Sequence, residues 1–267
     1  MIEVTAIPAL RDNYIWLLAH GPQAVVVDPG EAEPVRRHLM HGHYHLDAIL
    51  LTHHHTDHTG GVAELLASHA GPPPVVYGPP GVLPDLPVRT VGEADRIRLW
   101  PALELTVLAV PGHTLDHLAY RGSGLLFPGD TLFSAGCGRL FEGTMEQLFA
   151  AVERLGCLPA STRTYPAHEY TLANLAFAAG LEPDNALIAQ YADRATNAQM
   201  RQQPTLPTSI QLEHDVNPFL RTREPTVRTA AERHAGRTLG DPLEIFSVLR
   251  QWKDTSTCTL TLHRGPP

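Results

Sequence analysis

Residues 52–61 read THHHTDHTGG, which places four histidines and one aspartate within six positions. Because neighbouring imidazoles repel each other once any of them is protonated, such a cluster needs something that holds it together. A divalent cation would do so, since imidazoles and a carboxylate without thiolates suit catalytic Zn(II), Fe(II) or Mn(II). The alternative is a solvated, histidine-rich turn, which the position directly after the apolar run 48–51 disfavours.

The segment is predicted to be a loop at the end of a strand. In a strand His53, His55 and Asp57 share a face, and in a helix His53 and Asp57 do. Neither element lets the adjacent Asp57 and His58 point the same way. Loops at strand ends are where side chains converge on a site, and Gly60-Gly61 then lead into the next helix.

Three later turns repeat one pattern, in which an apolar strand is followed by a proline-containing turn and a metal-capable side chain. His113 stands in VPGHT, Asp130 in FPGD and His168 in YPAH. Each is weak alone, because a Gly-Asp turn is more often only a turn. Their recurrence after separate strands indicates that they are partners of the histidine cluster.

The elements that must position these side chains are mostly short strands, with helices inserted between them and more helices at the end. Strands are predicted at 2–7, 14–19, 24–27, 48–51, 75–77, 88–91, 103–110, 117–120, 125–127 and 163–165. Helices are predicted at 33–40, 60–69, 145–155, 172–179, 185–202, 225–235 and 242–253. This order predicts an α/β fold, an αββα sandwich of two mixed sheets covered by helices.

The change from strands to helices predicts two domains. We expect a catalytic domain at 1–172 and a smaller helical, substrate-binding domain at 173–254. The helices of the second domain are joined in part by the proline-rich segment 204–218, PTLPTSIQLEHDVNP. Residues 255–267 carry no packing signal and are predicted to be a loose tail.

Composition narrows the class of protein. Of the 267 residues 43% are hydrophobic and 18% charged, so the chain can bury a large core. A net charge of −8 argues against a nucleic-acid binder, which usually presents a basic surface. Three cysteines without CxxC spacing, no signal-peptide pattern and no run of the ~20 apolar residues that span a bilayer predict a soluble, cytoplasmic protein without membrane contacts. We expect the protein to be a monomer.

The metal motifs, in this order and spacing, resemble the metallo-β-lactamase fold family; they are THHHTDHTGG, PGHT, PGDTLF and AHEYT. Three further stretches, CGRLFEG at 137–143, NPFLR at 217–221 and RQWKD at 250–254, are similar to the glyoxalase II (hydroxyacylglutathione hydrolase) family. The likeness extends over about residues 3–254. The first set specifies the superfamily, and the second points to glyoxalase II.

The resemblance implies a site for two divalent metals, Zn first, with Fe or Mn as alternatives. The implied ligands are His53, His55 and His113 for one metal, Asp57, His58 and His168 for the other, and Asp130 bridging both. His54 and His117 stand at positions that are not ligands in the family. A further stretch is expected to support the site structurally and comprises Asp12, Asn13 and Tyr14.

The implied reaction is thioester hydrolysis. Two metals ~3.5–4 Å apart can share one water and lower its pKa toward neutrality, and the metal-bound hydroxide, held by Asp57 and His58, would attack the carbonyl. The thiolate leaving group, with a pKa near ~8.5, needs little help from a general acid. The implied substrates are S-(2-hydroxyacyl)glutathione thioesters, chiefly S-D-lactoylglutathione, in the second step of methylglyoxal detoxification. The products would be a 2-hydroxy acid and glutathione.

Glutathione carries two carboxylates, so a site for it requires cations. Arg250 and Lys253 are three residues apart on a predicted helix and hence on one face, although that spacing alone equally fits a solvated helix end. The resemblance assigns them, with Arg139 and the Tyr170 hydroxyl, to the glycine carboxylate. Arg139 stands where the family usually has Lys and keeps the charge, whereas Phe141 replaces a common Tyr and loses a hydroxyl donor.

Other functions fit parts of the pattern. A glutathione persulfide dioxygenase of the same fold would use one iron with few protein ligands, which the complete two-metal set disfavours. A lactonase or phosphodiesterase could use the same metal core, whereas a nuclease would be expected to carry a basic surface. A non-enzymatic binding module would need a broken ligand set, and none is broken.

Overall fold

Two mixed sheets form the centre of the computed structural model, which describes residues 2–68 and 71–256. Numbered along the chain, the strands are β1 (Glu3–Ala9), β2 (Asn13–His20), β3 (Gln23–Val27), β4 (His45–Leu50), β5 (Val75–Gly78), β6 (Val88–Thr90), β7 (Arg96–Trp100), β8 (Leu103–Ala109), β9 (Leu118–Gly122), β10 (Leu125–Phe127), β11 (Leu132–Phe133), β12 (Gly136–Cys137), β13 (Arg163–Thr164) and β14 (Thr208–Ser209). The first sheet has the order β1-β2-β3-β4-β5-β6 and the second β14-β13-β10-β9-β8-β7, while β11 and β12 form a separate hairpin.

Strand direction decides where the connecting turns emerge. In the first sheet β1, β2 and β3 are antiparallel, and β3 to β6 are parallel. In the second sheet β8 and β10 both run antiparallel to β9, and β13 runs parallel to β10. Strands β8, β10 and β13 therefore point the same way, so the residues that follow them leave the sheet at one edge.

Side chains on β2 alternate between two cores, which explains why this strand is buried along nearly its whole length. Ile15 and Leu17 pack outward beneath helices α1 (Ala32–His41) and α3 (Val62–Ala67). Trp16 and Leu18 face the second sheet. A strand covered on both faces carries a continuous apolar run instead of an alternating one, and YIWLLA has that character.

The outer face of the second sheet is covered by helices from both halves of the chain. The remaining helices are α2 (Thr56–Thr59), α4 (Met145–Gly156), α5 (Thr171–Leu181), α6 (Ala186–Met200), α7 (Ile210–Val216), α8 (Pro225–Ala235) and α9 (Pro242–Thr255). Leu126 of β10 shares a core with Leu148 of α4, Phe177 of α5 and Phe246 of α9. The predicted αββα sandwich with additional C-terminal helices is confirmed.

The sequence pattern misses strands β7, β11, β12 and β14 and helix α7. Strand β14 and helix α7 lie inside segment 204–218. The prediction that this segment is only a connection between helices is therefore wrong. The prolines of that segment suggested a loop, but β14 pairs with β13, a partner distant in sequence. Ser209 then caps α7, because its hydroxyl accepts from the backbone N–H of Leu212 at 3.2 Å.

The histidine segment also differs from its prediction as a loop. Residues Thr56–Thr59 form the short helix α2, so Asp57 and His58 lie on one helical turn. The turn is closed by a hydrogen bond of 2.7 Å from the Gly60 N–H to the Thr56 carbonyl. The helix predicted at 60–69 spans Val62–Ala67, and residues 69 and 70 lie outside the described residues.

The helical region and the sandwich are joined by strand pairing as well as by packing. Strand β14 adds to the second sheet, and the predicted division at 172/173 falls inside α5; this division stays a prediction. Thr255 completes α9, whereas residues 257–267 of the predicted tail lie outside the described residues. Within the described ranges, no helix is both long and apolar enough to cross a membrane. The predicted monomeric state and cytoplasmic location stay predictions.

Glu213, on α7, is fully buried, and burial raises the pKa of its carboxyl to about 7, from 4.5 for the free group. The folded chain thus keeps a proton that the unfolded chain releases, so the free energy of unfolding falls as the pH rises between these two values. From pH 5 to pH 8 we expect the wild type to lose ~2 kcal/mol more stability than Glu213→Gln. Urea unfolding of both proteins at the two pH values measures this, and equal losses would contradict it.

Candidate metal centre

His53, His55 and His113 meet at the carboxyl ends of β4 and β8. The His55 Nδ1 lies 3.0 Å from the His53 Nε2 and 3.1 Å from the His113 Nε2. The ligand atoms of the three residues all lie within 4.8 Å of one another. Three imidazole nitrogens that converge in this way can share a single cation.

Asp57, His58 and His168 form a second group beside the first. The Asp57 Oδ2 lies 3.4 Å from the His58 Nε2 and 3.5 Å from the His168 Nε2. Helix α2 supplies the first two side chains, and the turn after β13 supplies the third. These ligand atoms also lie within 4.8 Å of one another.

Asp130, which follows β10, stands between the two groups. Its Oδ1 lies 3.5 Å from the His58 Nε2 and 3.3 Å from the His168 Nε2. Its Oδ2 lies 3.5 Å from the His113 Nε2. One carboxylate oxygen therefore faces each group, so Asp130 is placed where it could contribute to both.

The buried charges explain the protonation behaviour of the cluster. Although burial alone raises the pKa of the Asp130 carboxyl, the His58 and His168 imidazoles hold it well below its usual range. Burial lowers the pKa of His168, but Asp130 and Asp12 outweigh it and raise this pKa to about 9. In contrast, burial and the neighbouring His58 hold the pKa of His53 well below its usual value. The second group thus lies in the more negative surroundings.

Two buried atoms support a fit to cations. Among the described residues, the His58 Nε2 and the Asp130 Oδ1 are buried side-chain atoms without a hydrogen-bond partner, and both point into the cluster. A buried polar atom without a partner costs free energy unless something coordinates it. Nitrogen and carboxylate oxygen ligands without thiolates suit a divalent cation. The cluster therefore fits a divalent metal site.

The outward-facing nitrogens of four of the imidazoles are held by a hydrogen bond. The Nδ1 of each is paired, and the partners are Thr52 Oγ1 for His53 at 2.9 Å, Asp28 Oδ2 for His58 at 3.0 Å, the Arg139 carbonyl for His113 at 2.9 Å and Asp12 Oδ1 for His168 at 2.9 Å. Such bonds determine which ring nitrogen faces the metal and how the ring is oriented. His55 differs, because it presents its Nδ1 to the cluster.

Asp28 stands in the turn Asp28-Pro29-Gly30 after β3 and is not singled out by the sequence analysis. Its carboxylate accepts from the Thr52 N–H at 2.8 Å and the Thr52 hydroxyl at 2.7 Å, and it pairs with His58. Its φ of 54° lies in the left-handed region, which Asp tolerates better than most residues. The available signal was its place after strand β3, as with the other site residues.

Of the residues expected to support the site, Asp12 and Asn13 contact ligand residues, and Tyr14 contacts Glu169 beside His168. The Asn13 Nδ2 donates to the Asp57 Oδ2 at 3.0 Å, and the Tyr14 hydroxyl donates to Glu169 at 2.9 Å. The buried His117 accepts from the Asp130 N–H at 3.1 Å. His54 lies farther out, with its Nδ1 3.3 Å from Asp116.

The metal cluster opens into a cavity of about 560 Å³. Its floor includes His55, Asp57, His113, Asp130 and His168. Its walls include the four predicted substrate-binding residues Arg139, Tyr170, Arg250 and Lys253. The structure thus brings the cationic residues and the metal cluster into one cavity.

The wall residues differ in their contacts and in their exposure. Tyr170 stacks on His168 with ring centroids 4.8 Å apart, and Lys253 Nζ lies 5.0 Å from the centre of the Phe177 ring. The Arg139 side chain is 65% exposed. Phe141, which lacks the hydroxyl, is 63% exposed and covers the edge of the site, with its ring centre 5.1 Å from that of His113.

Arg250 does not lie at a solvated helix end. It is 2% exposed, and its Nη1 donates to the Cys137 carbonyl while its Nη2 donates to the Asp254 Oδ1, both at 2.8 Å. The Arg139 Nε lies 3.5 Å from the same Asp254 oxygen. Arg250 therefore links α9 to the segment that follows Asp130.

Comparison with known proteins first shows the superfamily to which the chain belongs. A family model described as the metallo-beta-lactamase superfamily matches residues 9–168, and one described as the hydroxyacylglutathione hydrolase C-terminus matches residues 169–256. The crystal structure of ETHE1 from Myxococcus xanthus shares this fold at 24% identity, covering 95% of this chain and 98% of that one with a TM-score of 0.61. TTHA1623, solved in a di-iron-bound form, is 28% identical, covering 82% of this chain and 100% of that one with a TM-score of 0.59.

Relatives that match over nearly their whole length show the family within that superfamily. The hydroxyacylglutathione hydrolase of Alkalilimnicola ehrlichii is 51% identical over 264 residues, covering 96% of this chain and 100% of that protein. That of Vibrio cholerae is 49% identical over 258 residues, covering 95% of this chain and 99% of that protein. The chain therefore belongs to the hydroxyacylglutathione hydrolase family, and the resemblance drawn from its motifs is confirmed.

Asp28→Asn should weaken metal binding, because an amide cannot replace both negatively charged oxygens that hold Thr52 and His58. We expect affinity for Zn²⁺ to fall by about 10–100-fold, measured by competition with a chromophoric chelator. The matched control is Asp47→Asn on β4, whose carboxylate accepts from Gln23 and Trp100 outside the cluster. Unchanged affinity in Asp28→Asn, or equal losses in both variants, would contradict this role for Asp28.

Proposed function

We propose that the protein hydrolyses S-(2-hydroxyacyl)glutathione thioesters, chiefly S-D-lactoylglutathione, and releases a 2-hydroxy acid and glutathione. The observation that carries this proposal is the single cavity that joins the metal cluster to Arg139, Tyr170 and Lys253. A metal cluster alone would serve several ester-like substrates, so the cationic wall is what favours glutathione. Relatives that are about 50% identical and named hydroxyacylglutathione hydrolase support the same substrate class.

We assign the cluster to two divalent cations, Zn first, with Fe or Mn as alternatives. The ligands are His53, His55 and His113 for one, Asp57, His58 and His168 for the other, and Asp130 for both. The di-iron-bound form of TTHA1623 supports a pair of ions in a related chain. Held by these residues, the cations would supply a water of lowered pKa and would polarise the thioester carbonyl.

The side chains of the site hold the reacting groups in place. Asp130 sets the spacing between the two ligand groups, and Asn13 restrains the Asp57 carboxylate on one side of the reacting centre. Asp57 and His58 position the nucleophile from helix α2. The thiolate leaves without a general acid, because its pKa of ~8.5 makes it a good leaving group near neutral pH.

At the other end of the cavity, cations recognise the glycine carboxylate of glutathione. Arg139 and Lys253 reach the ligand directly, and the Tyr170 hydroxyl adds a donor. Arg250 contributes its charge from behind, since both of its Nη atoms already donate within the protein. Lys253 is the sole lysine of the sequence, so an amine-specific reagent can modify it selectively apart from the chain terminus.

Purified protein should contain two divalent ions per chain and should destroy the absorbance of the S-D-lactoylglutathione thioester. Elemental analysis and a spectrophotometric assay measure these outcomes. A chelator should abolish turnover, and Zn²⁺, Fe²⁺ or Mn²⁺ should restore it. If lactoylglutathione is not hydrolysed while a lactone or phosphodiester is cleaved, the proposed substrate assignment is wrong. Oxygen uptake with glutathione persulfide and a single iron per chain would indicate the dioxygenase instead.

Lys253→Ala should raise KM for lactoylglutathione by about tenfold and lower kcat much less, because the lost charge-assisted hydrogen bond is distant from the bond that breaks. Steady-state kinetics on the metal-loaded enzyme measure both constants. Lys253→Arg should keep KM near the wild-type value. The matched control, Arg233→Ala on the exposed part of α8, removes a cation outside the cavity and should change neither constant. A fall in kcat with unchanged KM would contradict a binding role for Lys253.

A further inference from the structure

Segment 130–139 carries several parts of the site on one short hairpin. Asp130 stands at its start, and Arg139 at its end supplies both a wall cation and the carbonyl that orients His113. The two ends touch, because the Gly138 N–H donates to the Thr131 carbonyl at 3.2 Å. A Cβ at Gly138 would lie 1.9 Å from the Asp130 carbonyl oxygen, so only glycine fits there. Displacing the hairpin would therefore displace Asp130, His113 and Arg139 together.

The tip of this hairpin is buried in the helical region and held by polar groups. The Asn174 Nδ2 donates to the Ser134 carbonyl at 2.8 Å. The Asn217 Nδ2 donates to the Gly136 carbonyl at 2.9 Å. Ala135 has a φ of 53°, in the left-handed region that residues other than glycine rarely adopt. The tip keeps this conformation because its surroundings impose it.

Glu213 accepts hydrogen bonds from the tip itself and from Asn217, one of the residues that hold it. Its Oε2 accepts from the Ala135 N–H at 2.8 Å and from the Asn217 Nδ2 at 2.9 Å. Its Oε1 accepts from the Thr208 hydroxyl at 2.6 Å. The side chain is 0% exposed and takes no part in the proposed chemistry. Burying this carboxyl group costs free energy, which its three hydrogen bonds offset in part.

We propose that Glu213 is a positioning residue of the active site. With Asn217 and Asn174 it forms a hairpin clamp, which holds the β11–β12 tip so that Asp130 and Arg139 keep their places in the cavity. The clamp links α5 and α7 of the helical region to the metal cluster. This inference rests on the proposed function only for its kinetic readout, because metal affinity reports the position of Asp130 directly.

Glu213→Ala tests the clamp, since a methyl group leaves the Ala135 N–H without an acceptor. We expect its affinity for Zn²⁺, measured by chelator competition, to fall about tenfold, and KM for lactoylglutathione to rise at least fivefold. Glu213→Gln keeps an oxygen toward Ala135 and Asn217, and the Thr208 hydroxyl can turn to accept from its amide. The Zn²⁺ affinity and the KM of Glu213→Gln should therefore stay within about twofold of the wild-type values.

Val35→Ala is the stability control, because Val35 is fully buried under the first sheet and distant from the hairpin. It should lower Tm without changing Zn²⁺ affinity or KM. If Glu213→Ala lowers Tm but keeps both constants, the residue is only structural and the proposal is overturned. Should Glu213→Ala fail to fold, Asn217→Ala replaces it, because this variant removes the donor to the Gly136 carbonyl. The same loss of Zn²⁺ affinity and the same rise in KM are then expected of Asn217→Ala. If the wild type does not hydrolyse lactoylglutathione, the proposed function fails, while the Zn²⁺ measurement still decides the clamp.

Discussion

A buried carboxylate lies between two sets of imidazoles, and most of the fold can be understood as the means of keeping it there. Asp130 faces nitrogens of His58, His113 and His168 at 3.3–3.5 Å. In surroundings of low polarity neither a lone carboxylate nor a group of clustered imidazoles is stable by itself. Their mutual placement, together with cations that they can bind, removes that cost. The four strand ends that supply these groups must therefore meet within a few ångströms.

The sheets achieve this meeting through strand direction. β8, β10 and β13 point the same way in the second sheet, and β4 of the first sheet delivers the histidine segment to the same edge. A further layer of hydrogen bonds orients the imidazole rings at this edge. Asp12 and Asp28, from two other turns, each hold one imidazole by its outer nitrogen. Orientation of the site is thus distributed over elements that carry no ligand themselves.

Sequence patterns predicted the sandwich and brought the right turns to attention, because apolar runs followed by turns report burial and strand ends locally. They failed where a role depends on a distant partner. Asp28 looks like a turn residue until His58 lies beside it, and Arg250 looks like a solvated helix end until Cys137 and Asp254 surround it. Strand β14 is two residues long and has no periodicity to detect. Its existence follows from the pairing with β13 alone.

That pairing has a consequence for how the chain can be divided. Strand β14 belongs by sequence to the helical half, but it closes the border of the second sheet beside β13. Removing the helical half would also remove β14, and the backbone amides and carbonyls of β13 that pair with it would be exposed. Exposed groups of this kind at a sheet edge can pair with a strand of another molecule. The same cut would bare the apolar side of that sheet where Leu126 meets Phe177 and Phe246. The helical half therefore shares both a sheet border and an apolar core with the sandwich.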